Sequence, residues 1–474
     1  MLGYRRVISF VVCVVLFSSL SLVWAAPKGS TFEKLRYSQN QERVRIVFDF
    51  DSLPEYNAVL EEKPLRLIIE INGAIKNGVS TQMLFNDPFV KGLVLEENGP
   101  SHIRAIIDLR QFVTHNVFLL KDPNRLVIDL GKVFDQKIDE EVMPGITHTS
   151  WIKSYSFGPV ESDVLTIFPE SSTKVVPVLS DGVINGIEPL SKISSRVKAI
   201  AAINGSYFSQ TGEIIGLLKL NGKIVSTPTI PRSALGIRPD GSIFIDQVEY
   251  HGQIELAGGD TININGVNRE RYTDEIILYN EYYGATTATN NYGTDVVIND
   301  KGIVTAITNG NTPLVAGYRV ISGHGQGQDA LKKIAIGDHL VVTETLGDEW
   351  DKTVYALGAG PMLVKDGNVF LTTQQEEFGP DVAAGRAPRT ALGVTKDGAI
   401  LLVVVDGRRQ GSAGLSLAEL AVFMKDIGAV NALNLDGGGS SEMIIHDTVV
   451  NKPSDGRERK IGDGLAIIES MLVN

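Results

Sequence analysis

Residues 435–441, Leu-Asp-Gly-Gly-Gly-Ser-Ser, combine residue types that could act on an anion. One carboxylate, Asp436, stands next to three consecutive glycines and two hydroxyls, directly after the strand-like run 432–435. Glycine has no Cβ and adopts left-handed backbone readily, so the three amide N–H groups can converge on an anion such as phosphate. The alternative is a Gly-rich turn between two strands. The motif alone leaves both interpretations open.

A second acidic motif follows another apolar run. Asp406-Gly407-Arg408 comes directly after the three valines 403–405. Two carboxylates that flank an anomeric carbon are the usual minimum for cleaving a glycosidic bond. We therefore predict that Asp406 and Asp436 form a catalytic pair, whose separation, and hence inversion or retention, stays open. For this motif the alternative is an exposed turn with an ion pair.

Arginine offers phosphate a bidentate guanidinium fork, and Arg389 and Arg408 are the candidates. Residues 204–208, Asn-Gly-Ser-Tyr-Phe, offer an amide for sugar hydroxyls and an aromatic ring for a sugar face, although a turn with two core aromatics would look the same. The predicted substrate-binding and phosphate-binding set is Asn204, Arg389, Thr390, Gly407, Arg408, Gly437, Gly438, Gly439, Ser440 and Ser441. Further candidates are Tyr207, His324 and Glu442.

A metal site is a separate question. Asp406, Asp436, Glu442 and Asn204 could supply oxygen ligands to Ca²⁺ or Mg²⁺. The sequence has no zinc-type ligand spacing, no EF-hand loop and no Gly-x-Ser-x-Gly nucleophile motif. No cofactor is therefore required by the sequence, and metal dependence stays open.

A duplication indicates how these groups are positioned. Residues 231–245 recur as 388–402 at a constant offset of 157, and a hairpin-like unit precedes each copy. We predict two β modules on one pseudo-symmetric core. Only the second copy continues into Asp406-Gly407-Arg408; the first reaches Glu249-Tyr250-His251 at the matching place. The segment between the copies, 250–350, is predicted to be a β-rich insertion.

A capped helix leads into the glycine motif. Ser416 and Glu419 have the spacing of a capping box, and Gly428 supplies the C-terminal stop. A short polar helix is predicted near 189–197.

The N-terminal part carries its own duplication, at an offset of 59. Residues 43–51 recur as 102–110, and 64–71 recur as 123–130, each with arginines and acids at matching places. Alternating strands of this kind predict a small β-sandwich over 30–133, whose charged residues are outward-facing cross-strand pairs. The charged segment 134–144 is predicted to be a linker.

The extreme N-terminus is typical of a signal peptide, residues 1–25, with retention as a membrane anchor as the alternative. Removing it takes away Arg5 and Arg6 and no acid, so the net charge moves from -12 to -14. Such an acidic chain is not expected to bind nucleic acid. Cys13 is the only cysteine, so the mature chain is expected to have no disulfide and no thiol nucleophile.

Together these features predict an α+β protein: an N-terminal β-sandwich, then a mixed α/β catalytic domain, 145–474, with duplicated β modules and the β-rich insertion. No transmembrane segment is expected after the signal. We expect export to the periplasm, the cell wall or the extracellular space.

Five ordered motifs resemble the phosphodiester glycosidase family: residues 204–208, 388–393, 404–408, the capped helix and 434–441. The resemblance extends over about 145–474 and includes 317–325 and 360–367. It implies hydrolysis of a sugar-1-phosphodiester at the glycosidic C–O bond, with Asn204, Arg389, Asp406, Arg408, Asp436 and the glycine loop in the active site. Glu442 is a less secure member of that set.

The N-terminal duplication resembles the amidase N-terminal (AMIN) domain, which implies binding to peptidoglycan or another envelope glycan. The combined prediction is a cell-envelope hydrolase that cleaves an N-acetylglucosamine-1-phosphate type linkage in a wall polymer or exopolysaccharide. The alternatives are a metal-dependent phosphodiesterase that breaks the P–O bond and a non-catalytic glycan-binding protein.

Overall fold

The computed structural model describes residues 29–132, 135–155, 157–256, 258–409 and 411–470, and the chain divides into two compact units at Lys132. The predicted signal segment, with Cys13, lies outside the described residues. No helix within the described ranges is long and apolar enough to cross a membrane. The predicted strand-rich character is confirmed.

The described part of the first unit is built from strands β1 (Ser30–Gln39), β2 (Arg43–Phe50), β3 (Tyr56–Glu62), β4 (Leu65–Ile75), β5 (Gln82–Leu84), β6 (Val90–Glu97), β7 (His102–Leu109), β8 (Val113–Leu120) and β9 (Arg125–Lys132). They run in the order β5-β6-β7-β4-β1-β2-β9-β8, with β3 also paired to β4. Alternate residues of β2 and β7 are buried, so one face of the sheet supplies a shared core.

In this sheet, strands of one half of the N-terminal duplication pair with strands of the other half. Strand β2 of the first half pairs with β9 of the second, and β4 of the first pairs with β7 of the second. Matching ion pairs lie across both interfaces: Arg45 with Asp129 at 2.6 Å, and Arg104 with Glu70 at 2.6 Å. Arg45 with Asp129 and Arg104 with Glu70, residues that recur at an offset of 59, therefore form cross-strand pairs of the predicted kind.

The second unit contains thirty-three strands and α-helices in the described ranges. Before the insertion they are β10 (Gln136–Met143), β11 (Ile146–Tyr155), β12 (Gly158–Ile167), β13 (Thr173–Leu179), β14 (Glu188–Pro189), α1 (Leu190–Val197), β15 (Ala201–Asn204), β16 (Leu218–Leu220), β17 (Lys223–Ser226), β18 (Arg232–Ile237) and β19 (Ile243–Val248). The insertion holds β20 (His251–Glu255), β21 (Thr261–Ile264), β22 (Gly266–Val267), β23 (Ile276–Tyr279), β24 (Gly293–Asn299), β25 (Val304–Thr308), β26 (Tyr318–His324), α2 (Gln326–Leu331), β27 (Val341–Thr345) and α3 (Asp348–Asp351).

After the insertion come β28 (Tyr355–Gly358), β29 (Met362–Lys365), β30 (Asn368–Val369), α4 (Pro380–Ala383), β31 (Arg389–Thr395), β32 (Ile400–Val405), α5 (Leu417–Asp426), β33 (Ala429–Asn434), β34 (Met443–Ile445), β35 (Thr448–Val449), β36 (Lys460–Ile461) and β37 (Asp463–Glu469). The insertion forms separate sheets, β22-β23-β26-β24-β25 and β21-β20-β27, around a core of its own.

The segment predicted as a linker, 134–144, is largely a strand in the structure. Strand β10 pairs antiparallel with β11 at the edge of the eight-stranded sheet β10-β11-β12-β32-β31-β33-β29-β30. Residues 136–141 of this strand are exposed. These residues are therefore charged because they form a solvent-exposed edge strand. A charged segment of this kind looks the same in the sequence whether it is an edge strand or a linker.

The second duplication produces two sheets with the same strand order. The first copy runs β17-β16-β28-β18-β19, and strands β30-β29-β33-β31-β32 of the second copy correspond to it one by one. Equivalent hydrogen bonds join them, since the Ala359 N–H donates to Ser233 O and the Leu435 N–H donates to Thr390 O. Both sheets contribute to one core. The predicted pseudo-symmetric frame is present.

The capped helix lies on the second sheet. The Ser416 side chain accepts from the Glu419 N–H, and the Glu419 carboxylate accepts from the Ser416 N–H at 2.9 Å, so the predicted capping box forms before α5. Gly428 follows the helix with φ +100°. Helix α5 buries Leu420 and Phe423 against the sheet face opposite the shared core, and this fixes β33 from behind.

A buried ion pair joins two distant segments of the first unit. Lys132 Nζ lies 2.5 Å from Asp87 Oδ2, with side chains 5% and 2% exposed, and links the end of β9 to the β5–β6 loop. Asp87 also accepts from the Phe89 N–H at 2.9 Å. Burial tends to raise the pKa of Asp87, but these donors outweigh it and hold the pKa below its usual value.

We predict that Asp87→Ala lowers the free energy of unfolding by about 3 kcal/mol, because it leaves the Lys132 ammonium buried without its counter-charge. Asp49→Ala, which breaks the more exposed pair with Arg36, is the matched control and should cost less than about 1 kcal/mol. Urea denaturation of both variants measures the difference. Equal losses would contradict the role of Asp87.

Candidate active site

The glycine motif begins where β33 ends, at a point where several strand ends meet. Strand β15 ends at Asn204, β34 begins after Glu442, and β37 begins at Asp463. Because β15 pairs with both β34 and β37, these three residues lie at the same edge of one sheet. The loop from β33 crosses this edge, since the Asp436 N–H donates to Gly205 O at 3.0 Å.

Asn204 fixes the loop at both ends. Its Nδ2 donates to Asp436 O at 2.7 Å, and its Oδ1 accepts from the Glu442 N–H at 3.2 Å and from the Thr390 hydroxyl at 2.7 Å. Asn204 and Thr390 are both fully buried. The sequence predicted that both would bind substrate; the structure instead gives them a positioning role within the protein.

The loop amides are mostly used within the protein. The Gly437 N–H donates to Asp436 Oδ1 at 2.9 Å, and the Gly438 N–H donates to Pro388 O at 2.9 Å. Of the three glycines only Gly438 has left-handed backbone, at φ +64°. A nest of converging amides, as first predicted, is therefore not the main anion-binding element here.

Two guanidinium groups lie against the loop instead. A Cβ added at Gly438 would lie 3.3 Å from an Arg408 nitrogen, and one at Gly439 would collide with the guanidinium of Arg459. Arg459 is paired with Asp455 at 2.7 Å. Within the described ranges the exposed Arg408 guanidinium has no hydrogen-bond or ion-pair partner. A side chain at Gly439 would displace Arg459, whereas at Gly438 it is the positive φ of +64° that favours glycine.

Arg389 is different from Arg408. It is buried, and its three nitrogens donate to the carbonyl oxygens of Leu415 at 2.9 Å, Val382 at 3.1 Å and Gly385 at 3.1 Å. Arg389 was predicted to bind phosphate, but its guanidinium holds the neighbouring loops. Arg408 is the arginine that remains available to an anion.

Asp436 is half-buried beside the loop. Burial raises the pKa of its carboxyl to about 6, although the Gly437 N–H and the charge of Arg459 partly oppose this. At neutral pH the carboxylate form therefore predominates, but with a basicity well above that of an exposed aspartate. This is a suitable state for a general base.

Asp463 is a second acid at the same edge, and the sequence reasoning missed it. Its Oδ1 accepts from the Ser206 N–H at 2.7 Å, while its buried Oδ2 has no partner among the described residues. Burial, together with the negative charge of Asp436, raises its pKa to about 7. The signal in the sequence is an acid between two glycines, at 462–464, just before an apolar strand.

Glu442 completes a group of three acids. It is buried, and burial and the nearby carboxyl of Glu458 raise its pKa to about 8. Glu442 thus carries a proton at neutral pH and can donate a hydrogen bond. Its membership of the site stays a prediction.

Asp406 has other partners. Its carboxylate accepts from Asn451 Nδ2 at 3.0 Å, from the Lys452 N–H at 3.1 Å and from Arg409 at 2.9 Å. Asn451 also donates to Ser441 O at 3.1 Å, so Asp406 braces the loop through Asn451. No hydrogen bond joins Asp406 to Asp436 in the described part of the chain.

Three other predicted residues have defined places. A Cβ at Gly407 would collide with Pro388 N, so Gly407 permits close packing. The Tyr207 hydroxyl donates to Gly360 O at 3.0 Å and accepts from Asn434 Nδ2 at 2.8 Å, which joins the two modules beside the loop. His324 lies at the end of β26 in the insertion sheet, and none of its described contacts reaches the glycine loop.

Unsatisfied polar atoms concentrate here. Buried oxygens without a hydrogen-bond partner among the described residues include those of Ser206, Asn434, Ser440, Ser441, Glu442 and Asp463. Each such group costs about 1–3 kcal/mol unless it finds a partner. Their concentration at one sheet edge is typical of a site that receives a polar ligand.

The metal prediction finds little support in the donor set. No group of three or more His, Cys, Asp or Glu side chains in the described ranges is placed to hold a metal ion. The Asp406 carboxylate, one of the predicted ligands, is already occupied by protein donors.

The fold is that of known strand-rich proteins. A hypothetical protein from Synechocystis matches 93% of this chain and 80% of its own length, with TM-score 0.66 and 22% identity. A Burkholderia pseudomallei protein described as exported matches 92% of this chain and 98% of its own length, with TM-score 0.58 and 18% identity.

The family follows from the sequence of the second unit. Residues 292–468 match the phosphodiester glycosidase family, so the chain carries a phosphodiester glycosidase domain. The match begins within the insertion, later than the start near 145 that the motifs implied.

Curated relatives match over shorter stretches. The mouse N-acetylglucosamine-1-phosphodiester alpha-N-acetylglucosaminidase is 31% identical over 156 residues, 30% of each protein. The N-acetylmuramoyl-L-alanine amidase AmiC of Neisseria meningitidis is 27% identical over 118 residues, 23% of this chain and 28% of its own. An uncharacterized SPbeta prophage-derived protein of Bacillus subtilis is 39% identical over 80 residues, 17% of this chain. The chain spans less than a third of each relative, 12% of the last.

The raised pKa of Asp463 predicts a pH-dependent stability difference. Since its pKa is about 7 in the folded chain, above the ordinary value of 3.8, its stabilising contribution is complete below about pH 4 and is lost as the pH rises through 7. Asp463→Asn keeps an oxygen for Ser206 but does not titrate. We expect its melting temperature relative to the unsubstituted protein to rise by roughly 5 °C between pH 5 and pH 8.

Scanning calorimetry at several pH values measures this difference. Asp397→Asn, in the exposed turn of the second module, is the control and should show a constant offset. Parallel curves for Asp463→Asn and the unsubstituted protein would refute the assignment.

Proposed function

We propose that this protein is an exported phosphodiester glycosidase that hydrolyses a sugar-1-phosphodiester in a cell-envelope or extracellular glycan. The observation that carries the proposal is the position of the Arg408 guanidinium, which has no partner among the described residues. It lies next to Gly438, a residue of the loop that also contains Asp436. It supports the binding of a phosphate next to a basic carboxylate. The phosphodiester glycosidase match, and the sugar phosphodiester in the printed name of the mouse relative, support the same substrate class.

In this proposal Arg408 binds the phosphate, and the Ser441 hydroxyl, which has no partner among the described residues, is a second donor. A guanidinium matches two phosphate oxygens, and a leaving phosphomonoester needs its charge stabilised as the glycosidic bond breaks. Arg459 adds positive charge on the other side of the loop. These groups thus act on the charge that develops at the leaving oxygen.

In the proposed mechanism Asp436 and Asp463 have different roles. Ionised Asp436 removes a proton from the attacking water, or attacks the anomeric carbon itself to form a glycosyl ester that water then hydrolyses to free the sugar and the carboxylate. In either route the C1–O bond breaks and its electron pair leaves with the phosphate. Asp463, whose pKa is raised to about 7 by burial and the charge of Asp436, holds the proton at neutral pH. Asp406 does not belong to this pair in the proposed mechanism, because its oxygens are already occupied; it positions the loop.

The proposal predicts that Asp436→Asn lowers kcat for release of N-acetylglucosamine from an N-acetylglucosamine-1-phosphodiester by about 1000-fold or more. The melting temperature should not fall, because the variant buries no charge. Asp397→Asn, an exposed acid outside the site, is the matched control and should retain full activity. A fully active Asp436→Asn enzyme would refute the role of Asp436.

Hydrolysis in ¹⁸O-labelled water tests which bond breaks. Attack at the anomeric carbon places the label in the sugar, whereas a metal-dependent phosphodiesterase places it in the phosphate. Label in the phosphate would overturn the glycosidase proposal even if Asp436 were essential.

The two arginines provide a further matched prediction. Arg408→Gln should lower kcat/KM by about 100-fold with little change in the melting temperature, because its guanidinium binds only substrate. Arg389→Gln should instead lower the melting temperature, because three carbonyls lose their donors. Steady-state kinetics and thermal melts of both variants measure this. A stable, fully active Arg408→Gln would contradict phosphate binding at this loop.

The N-terminal unit is proposed to bind peptidoglycan or another envelope glycan, as its AMIN-like duplication implies. The amidase relative, whose printed name refers to a wall linkage, supports an envelope setting. The phosphodiester-linked substrate would then belong to a wall polymer or exopolysaccharide held near the cell surface.

A further inference from the structure

A cavity of about 620 Å³ lies away from the glycine loop. It lies where the β16–β17 hairpin of the first module meets strands β24, β26 and β27 of the insertion. Its volume is within the range of small-molecule sites, roughly 300–1,000 Å³. The proposed reaction makes no use of it.

The charges that line this cavity nearly cancel, with three cations, Lys219, Lys223 and Arg319, against four acids, Glu281, Asp300, Glu344 and Asp351. Lys223 lies 3.3 Å from Glu281, and Arg319 lies 3.4 Å from Glu344, so two of the cations already have acidic partners in the wall. A phosphate or polyanion site would show an excess of positive charge, and a cation site an excess of acids. The balance favours an uncharged ligand with many hydrogen-bonding groups.

Unused hydrogen-bonding groups of both kinds line the cavity. The Lys219 ammonium is 3% exposed and donates to the carbonyls of Trp350 at 3.0 Å and Asp351 at 3.1 Å, which leaves one of its three protons. Asn299 uses only its Oδ1, as acceptor from two backbone N–H groups, so its amide protons are available. Asp300 supplies a carboxylate with no partner among the described residues.

An aromatic ring and aliphatic walls complete the cavity. Tyr318 is 41% exposed at the start of β26, and Ile224 and Val342 line the same space. A sugar ring has an apolar face that packs on an aromatic ring and hydroxyls at its edge that both donate and accept. We propose that this cavity, which we call the hairpin–insertion cleft, binds a neutral oligosaccharide of roughly two or three sugar rings.

This cleft would hold a glycan segment at a distance from the loop that carries Asp436, because none of its lining residues belongs to that loop. The inference does not depend on the chemistry at Asp436. A glycan-processing enzyme gains from such a site, since a polymer held at a second place on the same molecule has a raised effective concentration at the first.

Isothermal titration calorimetry of the full chain with chitotriose, cellotriose and maltotriose tests the proposal. At least one trisaccharide should bind at one site per chain, with sodium phosphate as a ligand that does not compete. Tyr318→Ala and Asp300→Ala should each weaken binding at least tenfold. Tyr292→Ala, which removes a more exposed tyrosine of the insertion outside the cleft, should leave binding unchanged.

The active-site variants distinguish this cleft from the site at Asp436. Binding that persists in Arg408→Gln but is lost in Tyr318→Ala supports the cleft, whether or not the protein hydrolyses a phosphodiester. The proposal is overturned if none of the three trisaccharides binds at 10 mM. It is also overturned if binding is lost in Arg408→Gln and retained in Tyr318→Ala, or if phosphate displaces the sugar.

Discussion

The site depends on the side-chain amide of Asn204. This one group donates to the backbone of Asp436 and accepts from the backbone of Glu442, so it fixes the beginning and the end of the glycine loop from the neighbouring sheet. It also joins β15 to β31 through Thr390. A loop of small residues has little packing of its own, and a fully buried amide with three partners supplies the rigidity that the glycines lack.

Burial at the same sheet edge determines the chemistry of the acids. Asp436, Asp463 and Glu442 all have raised pKa values, about 6, 7 and 8, and burial is the largest cause for each. The negative charge of Asp436 adds to the effect of burial at Asp463, and the carboxyl of Glu458 adds to it at Glu442. The strand ends that bring these residues together thus also raise the pKa values of their carboxyls toward neutral pH.

Much of the frame could be predicted from local patterns. The offset of 157 predicted the paired modules, and Ser416 with Glu419 predicted the start of α5. Both features can be recognised because each depends on a short local sequence pattern. Asp463 could not be found in this way. Its role comes from pairing β37 with β15, more than 250 residues apart in sequence, and only burial turns an ordinary Gly-Asp-Gly turn into a titrating acid.

The same limit explains the residues whose roles differ from the prediction. Arg389, Asp406 and Asn204 have the residue types that bind phosphate and sugar, and residue type alone does not reveal that backbone and side-chain partners already occupy them. Arg408 was chosen on the same grounds and is available only because its turn leaves it exposed. Partner occupancy is a property of the packed structure, so residue type and spacing do not reveal which of these side chains are already occupied.

The two modules have a consequence for stoichiometry. In the second module the Leu435 N–H donates to Thr390 O, and the next residue along the chain is Asp436. In the first module the equivalent hydrogen bond runs from the Ala359 N–H to Ser233 O, and the next residue is Gly360. A side chain there would collide with the buried carboxylate of Glu376, which instead accepts from the Ser233 N–H and hydroxyl. In the first module the place that corresponds to Asp436 is therefore occupied by the side chain of Glu376. A molecule with two matching halves should bind one equivalent of a tight inhibitor at the glycine loop, and never two.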